Sequence, residues 1–259
     1  RHPTLAVAFM VGQGSDNVGL LDVSAGPTQF PNDPMTQWIG LAKVGQRPTG
    51  IAFSDDGAFA YVLNAHDLAV AELDLAPLVG RLGVTDTLFT LSLSPSRSSS
   101  FGMDPRDEAV RRGERMFFFV GDPSVSKDAL FACGSCHIDG LDDGITWGFT
   151  KGTRQTPALA GRLHDTAPFN WEGSIADLSE NMVATIQRMG GEGLDAGALA
   201  DLEAFLLDGL RAPPTRAADL NAVEVLGEQI FHDPEVGCAN CHQGSGLTDG
   251  QNWDIGTVN

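Results

Sequence analysis

Five residues, Cys133-Gly134-Ser135-Cys136-His137, and a second copy, Cys238-Ala239-Asn240-Cys241-His242, constrain this chain more than anything else in it. Cys-x-x-Cys-His is the attachment signature of c-type haem. Two thiols three positions apart on one helical turn can each form a thioether to a porphyrin vinyl group. The His that follows then sits under the iron as its proximal ligand. The chain has four cysteines, and the two motifs use all of them. A zinc knuckle, a disulfide pair or a redox dithiol is the alternative for either motif, but zinc sites do not require His directly after the second Cys. The pattern points to two covalently attached haem c groups, with Cys133, Cys136, Cys238 and Cys241 as attachment residues and His137 and His242 as iron ligands.

Composition narrows the partners. Acidic residues number 34 against 16 basic ones, a net charge of -18. That argues against nucleic acid and permits docking of a basic electron carrier, although solubility alone would also account for it. No run of about 18 apolar residues occurs, so no membrane span is expected. The chain opens at Arg1 without an initiator Met or a signal-peptide pattern. Haem c is attached outside the bacterial cytoplasm, so a periplasmic or extracellular location and a processed or partial chain are expected.

Residues 1–95 read as short strands: Leu5 to Val11, Val18 to Val23, Ile51 to Phe53, Phe59 to Leu63 and Leu68 to Leu75, separated by turn-rich stretches. Phe9 aligns with Tyr61 and Asp22 with Asp74, both at an offset of 52, an internal repeat of propeller-blade length. The stretch from Gly45 to Gly57, followed by Tyr61-Val62-Leu63-Asn64, resembles the repeat named for its YVTN tetrapeptide, with Leu63 in place of Thr. The Ser-rich stretch 92–104 reads as a linker, and Asp104-Pro105 as a helix start. Helices are expected at about 175–189, 195–208 and 217–231, with a boundary at Arg211-Ala212-Pro213-Pro214. The expected fold class is multidomain: a partial β-propeller-like segment (1–95) followed by mainly α cytochrome c-type haem domains, the first at 96–212 and a truncated second at 213–259.

From about residue 105 onward the chain resembles the bacterial di-haem cytochrome c peroxidase family, with its methylamine dehydrogenase maturation relatives. The matching residues are Gly113-Glu114-Arg115-Met116-Phe117-Phe118, CGSCH, Lys151-Gly152-Thr153-Arg154-Gln155-Thr156-Pro157, Phe169-Asn170-Trp171-Glu172-Gly173 and the helix leading into CANCH. The resemblance implies a peroxidase: the first haem reduces hydrogen peroxide to water, and the second relays electrons from a small redox protein or other external donor. It implies that Trp171 lies between the haems and that Gln155 stands where the family helps to hold a calcium ion. Peroxide chemistry also needs a carboxylate to move a proton between the two oxygens. Glu180 and Glu192 are the candidates, each with the alternative of an ordinary solvated carboxylate.

Two departures bear on the sixth ligands. Trp147 stands where the family often has a displaceable His on the first haem, and His164 is the nearest other donor. After His242 neither Met nor Tyr follows in the remaining 17 residues, so a truncated segment or another chain is expected to complete the second pocket. An electron-transfer cytochrome without peroxidase activity, or a di-haem oxidase or maturation enzyme acting on a protein substrate, are the alternative functions.

Overall fold

The computed structural model describes residues 2–24, 38–79, 91–149, 152–212, 219–244, 246–251 and 253. Strand formation in the first half follows period-2 burial: in β6 (Ala69–Asp74), Ala69, Ala71 and Leu73 face inward while their neighbours do not. Among the described residues there, eight strands form: β1 (Val7–Gly12), β2 (Asn17–Asp22), β3 (Trp38–Lys43), β4 (Pro48–Phe53), β5 (Phe59–Asn64), β6, β7 (Leu91–Leu93) and β8 (Arg97–Ser100). They make two four-stranded sheets, ordered β1-β2-β3-β7 and β4-β5-β6-β8. Val7, Leu20, Ile39, Val62, Leu73 and Leu91 share one buried cluster with their neighbours.

The 52-residue offset is a structural repeat. Hairpins β1–β2 and β5–β6 have the same register, with Val7 opposite Asp22 and Phe59 opposite Asp74. Each hairpin gains a further antiparallel strand, β3 beside β2 and β8 beside β6, and β7 then pairs in parallel with β3. Two sheets are fewer than the roughly four blades a propeller needs to close. The propeller-like segment is therefore corrected to a pair of four-stranded sheets on one core.

The Ser-rich stretch is corrected as well. Residues 97–100 are no linker but the edge strand β8, exposed throughout, with Ser100 opposite Ala69 and Arg97 opposite Glu72. Arg97 also pairs with the Glu72 carboxylate at 3.0 Å. Serine has weak strand propensity, but backbone pairing to β6 decides the conformation.

The chain divides into two compact units, Arg1–Arg106 with Phe118–Gly121, and Asp107–Phe117 with Asp122–Asn259. The second unit carries α1 (Glu108–Phe118), α2 (Leu178–Arg188), α3 (Ala196–Ala204), α4 (Ala222–His232), α5 (Cys238–Cys241) and the hairpin β9–β10 (Thr146–Phe149, Gly152–Gln155). The mainly α haem domains of the expectation are corrected accordingly. No described α-helix exceeds 11 residues, and strands and long loops make up most of the rest. The 31 glycines and 14 prolines supply the reason, since both interrupt helices. Asp104 does not start α1 but pairs with Arg106, while Asp107 accepts from Ala109 N at 3.1 Å. Lys151, Pro213 and Pro214 lie outside the described residues.

Candidate functional site

Each Cys-x-x-Cys-His segment folds into one tight helical turn. His137 N donates to Cys133 O at 2.9 Å, and His242 N to Cys238 O at 3.1 Å. Both chains leave the turn at the His with nearly the same dihedrals, φ -93 and ψ 71 at His137, φ -89 and ψ 80 at His242. All four cysteines are free and half-buried. Burial pushes the Cys133 thiol up to about 11 and raises Cys136 as well. Among the described residues no three His, Cys, Asp or Glu side chains gather as a metal cage would require.

The histidines share one more property. His137 Nδ1 lies 2.9 Å from Pro157 O, and His242 Nδ1 lies 3.0 Å from Leu247 O. A carbonyl only accepts, so each Nδ1 carries the proton and each Nε2 keeps its lone pair. That tautomer is the one a metal-ligating His needs, with its outer nitrogen anchored to the protein. Burial also pushes the His137 imidazole below its ordinary value, against the pull of the Pro157 and Leu141 carbonyls, which favours the neutral form.

After each His runs the same pattern, Leu-x-Asp-Gly-x-x-Trp, at Leu141–Trp147 and at Leu247–Trp253. Trp147 Nε1 donates to Asp143 at 2.9 Å and Trp253 Nε1 to Asp249 at 2.8 Å. The other carboxylate oxygen accepts from Ile145 N and Gln251 N, each at 2.9 Å. Gly144 and Gly250 both sit at φ +67, which a side chain would resist. Asp143, Asp249 and Trp253 are absent from the sequence-based site. Comparing the two stretches behind the motifs, rather than the motifs alone, would have found them.

The duplication also reaches the preceding helices, Gly113-Glu114-Arg115-Met116-Phe117 in α1 and Gly227-Glu228-Gln229-Ile230-Phe231 in α4. The surroundings differ. Phe117 is fully buried, its ring 5.3 Å from Phe205, and Gly140 after the first motif lies against Leu210 and Ala160. Phe231 instead lies 6.2 Å from the His242 ring, and none of the described residues from 219 onward is buried.

The remaining sequence-based candidates stand on other elements and loops. Glu180 is exposed in the first turn of α2, its N–H held by Asp177, and Glu192 is exposed in the following loop. Trp171 is 53% exposed. His164 turns its Nε2 to Leu207 O at 3.1 Å and towards Asp208 at 3.6 Å. Gln155 is exposed on β10 opposite Thr146.

A haem c fits these residues on three counts: unpaired thiols on one turn, Nε2 left available, and apolar side chains standing in solvent around each motif. Leu130, Phe131, Ile138 and Ile145 are exposed near the first, and Ile230, Val236 and Leu247 near the second. Exposed apolar clusters of this kind mark surfaces that something apolar covers.

No family model matches the chain. A protein of Kuenenia stuttgartiensis named hydrazine synthase subunit gamma is 29% identical to it over 201 residues, covering 68% of this chain and 53% of that protein. The chain thus spans about half the length of the relative it matches. The kinship expected with di-haem cytochrome c peroxidases is corrected on this finding, and peroxide reduction falls with it. The similarity found is to a subunit of a different enzyme, so the association with an enzyme stands while the peroxidase does not. The physical reason is that motifs flanking Cys-x-x-Cys-His report the needs of a site, and one kind of site serves many reactions.

Proposed function

We propose that this chain is a subunit of an enzyme complex of the hydrazine synthase kind and carries two covalently attached haem c groups. The observation that carries this reading is the paired geometry of His137 and His242, each fixed through Nδ1 with Nε2 left available on a cysteine-bearing turn. Bound there, the group supplies a redox-active iron. The chain's own part is to hold it: Cys133 and Cys136 anchor one, Cys238 and Cys241 the other, and the exposed apolar residues around each motif exclude water. Attachment through thioethers places the chain in a periplasmic or extracellular setting. The net charge of -18 favours partners with basic surfaces over nucleic acid.

Expression with a cytochrome c maturation system and haem counting by the pyridine haemochrome assay tests this. The wild type should carry two haems, and Cys133→Ala/Cys136→Ala or Cys238→Ala/Cys241→Ala should each carry one. A wild type that carries no haem while all four thiols stay titratable would overturn the reading.

A further inference from the structure

Exposed tryptophans are rarely held in one orientation, because nothing packs around them to do so. Trp147 and Trp253 are 40% and 61% exposed, yet each is tied at its only polar atom. Each tie is made by a carboxylate whose second oxygen is bound to the loop backbone two residues on. The carboxylate therefore cannot swing away, and the indole it grips is fixed relative to the His loop. In the first copy Thr156 adds a contact to Trp147 Nε1 at 3.2 Å, one residue before the Pro157 carbonyl that anchors His137. In the second copy, Leu247 O anchors His242 just two residues before Asp249. In the second copy one short loop thus sets the His tautomer and the indole together, while in the first the Thr156–Pro157 stretch touches both.

We propose that Asp143 and Asp249 are positioning residues that lock the Trp147 and Trp253 indoles as one wall of each porphyrin site. The inference rests on the haem-bearing reading above and deepens it. The same device stands in two different surroundings: the first is backed by the core of its unit, while none of the described residues from 219 onward is buried. A device that only stabilised a fold would not be repeated where there is so little fold to stabilise.

Single-haem chains make the test specific. In the Cys238→Ala/Cys241→Ala background, Asp143→Ala and Trp147→Phe should each alter the Soret circular dichroism of the remaining haem. The double variant should match Trp147→Phe alone, because the carboxylate acts through the indole. The reciprocal background serves Asp249→Ala and Trp253→Phe. An unchanged Soret signal in the Asp variants, or effects that simply add in the double variants, would overturn the proposal. The lock itself is read in the haem-free chain by NMR. Asp143→Ala and Asp249→Ala should each speed exchange of one indole N–H by roughly fivefold or more, the loss of a net hydrogen bond of about 1 kcal/mol or more. Unchanged exchange refutes the lock, whereas a wild type that takes up no haem refutes the underlying reading instead.

Discussion

Gly113 and Gly227 occupy equivalent places in the two copies of the second unit, and their surroundings are opposite. A Cβ at Gly113 would stand 2.0 Å from the Asp201 backbone oxygen, so α1 could keep its place only by displacing α3. A Cβ at Gly227 would meet nothing within 4 Å. Gly113→Ala should therefore destabilise by about 1–3 kcal/mol or more through overpacking. Gly227→Ala should stabilise by up to about 1 kcal/mol through helix propensity. Urea unfolding of the two variants measures both, and equal effects would contradict the contrast. At this scale the two Cys-x-x-Cys-His turns were legible, because the motif sets particular residues at a particular spacing. Asp143 and Asp249 were not, because a carboxylate in a Gly-rich loop reads as a solvated turn until its hydrogen bonds to an indole are seen.

The helices show how local signals and pairing compete. Helix α4 begins at a capping box, in which Asn221 Oδ1 accepts from Val223 N and Glu224 N while Glu224 Oε2 accepts from Asn221 N at 2.8 Å. Because no described residue of α4 is buried, its stability depends heavily on that cap. Asn221→Ala should cost about 1 kcal/mol, seen as faster amide exchange across the first turns of α4, with the first unit unchanged. Helices α2, α3 and α4 fall close to where apolar periodicity expects them. Strands β8 and β9–β10 do not: Arg97–Ser100 is polar and exposed, and Thr146–Phe149 is exposed on every residue. Neither carries the period-2 burial by which a strand announces itself. Both exist because a neighbouring backbone offers a ladder of hydrogen bonds.

For the chain as a whole, the two copies predict unequal behaviour. The first motif is backed by Gly140, Ala160 and Leu210, whereas the second sits among exposed residues. Anything that binds only the folded state stabilises the part it touches. Haem attachment at Cys238 and Cys241 should accordingly protect residues 219–251 from limited proteolysis far more than attachment at Cys133 and Cys136 protects 125–149. Equal protection of the two segments would show that the second is already folded without its haem.

The sequence by itself determined what is local: two five-residue turns able to anchor haem, the 52-residue hairpin repeat, the helix positions, and the acidic surface. Only the tertiary structure decided how the strands join into two sheets and which carbonyl accepts the hydrogen bond from His137 Nδ1. The difference is physical. Covalent spacing and side-chain period act between neighbours in the chain. Hydrogen bonds such as His137 to Pro157, 20 residues apart, exist only once the fold has brought their ends together.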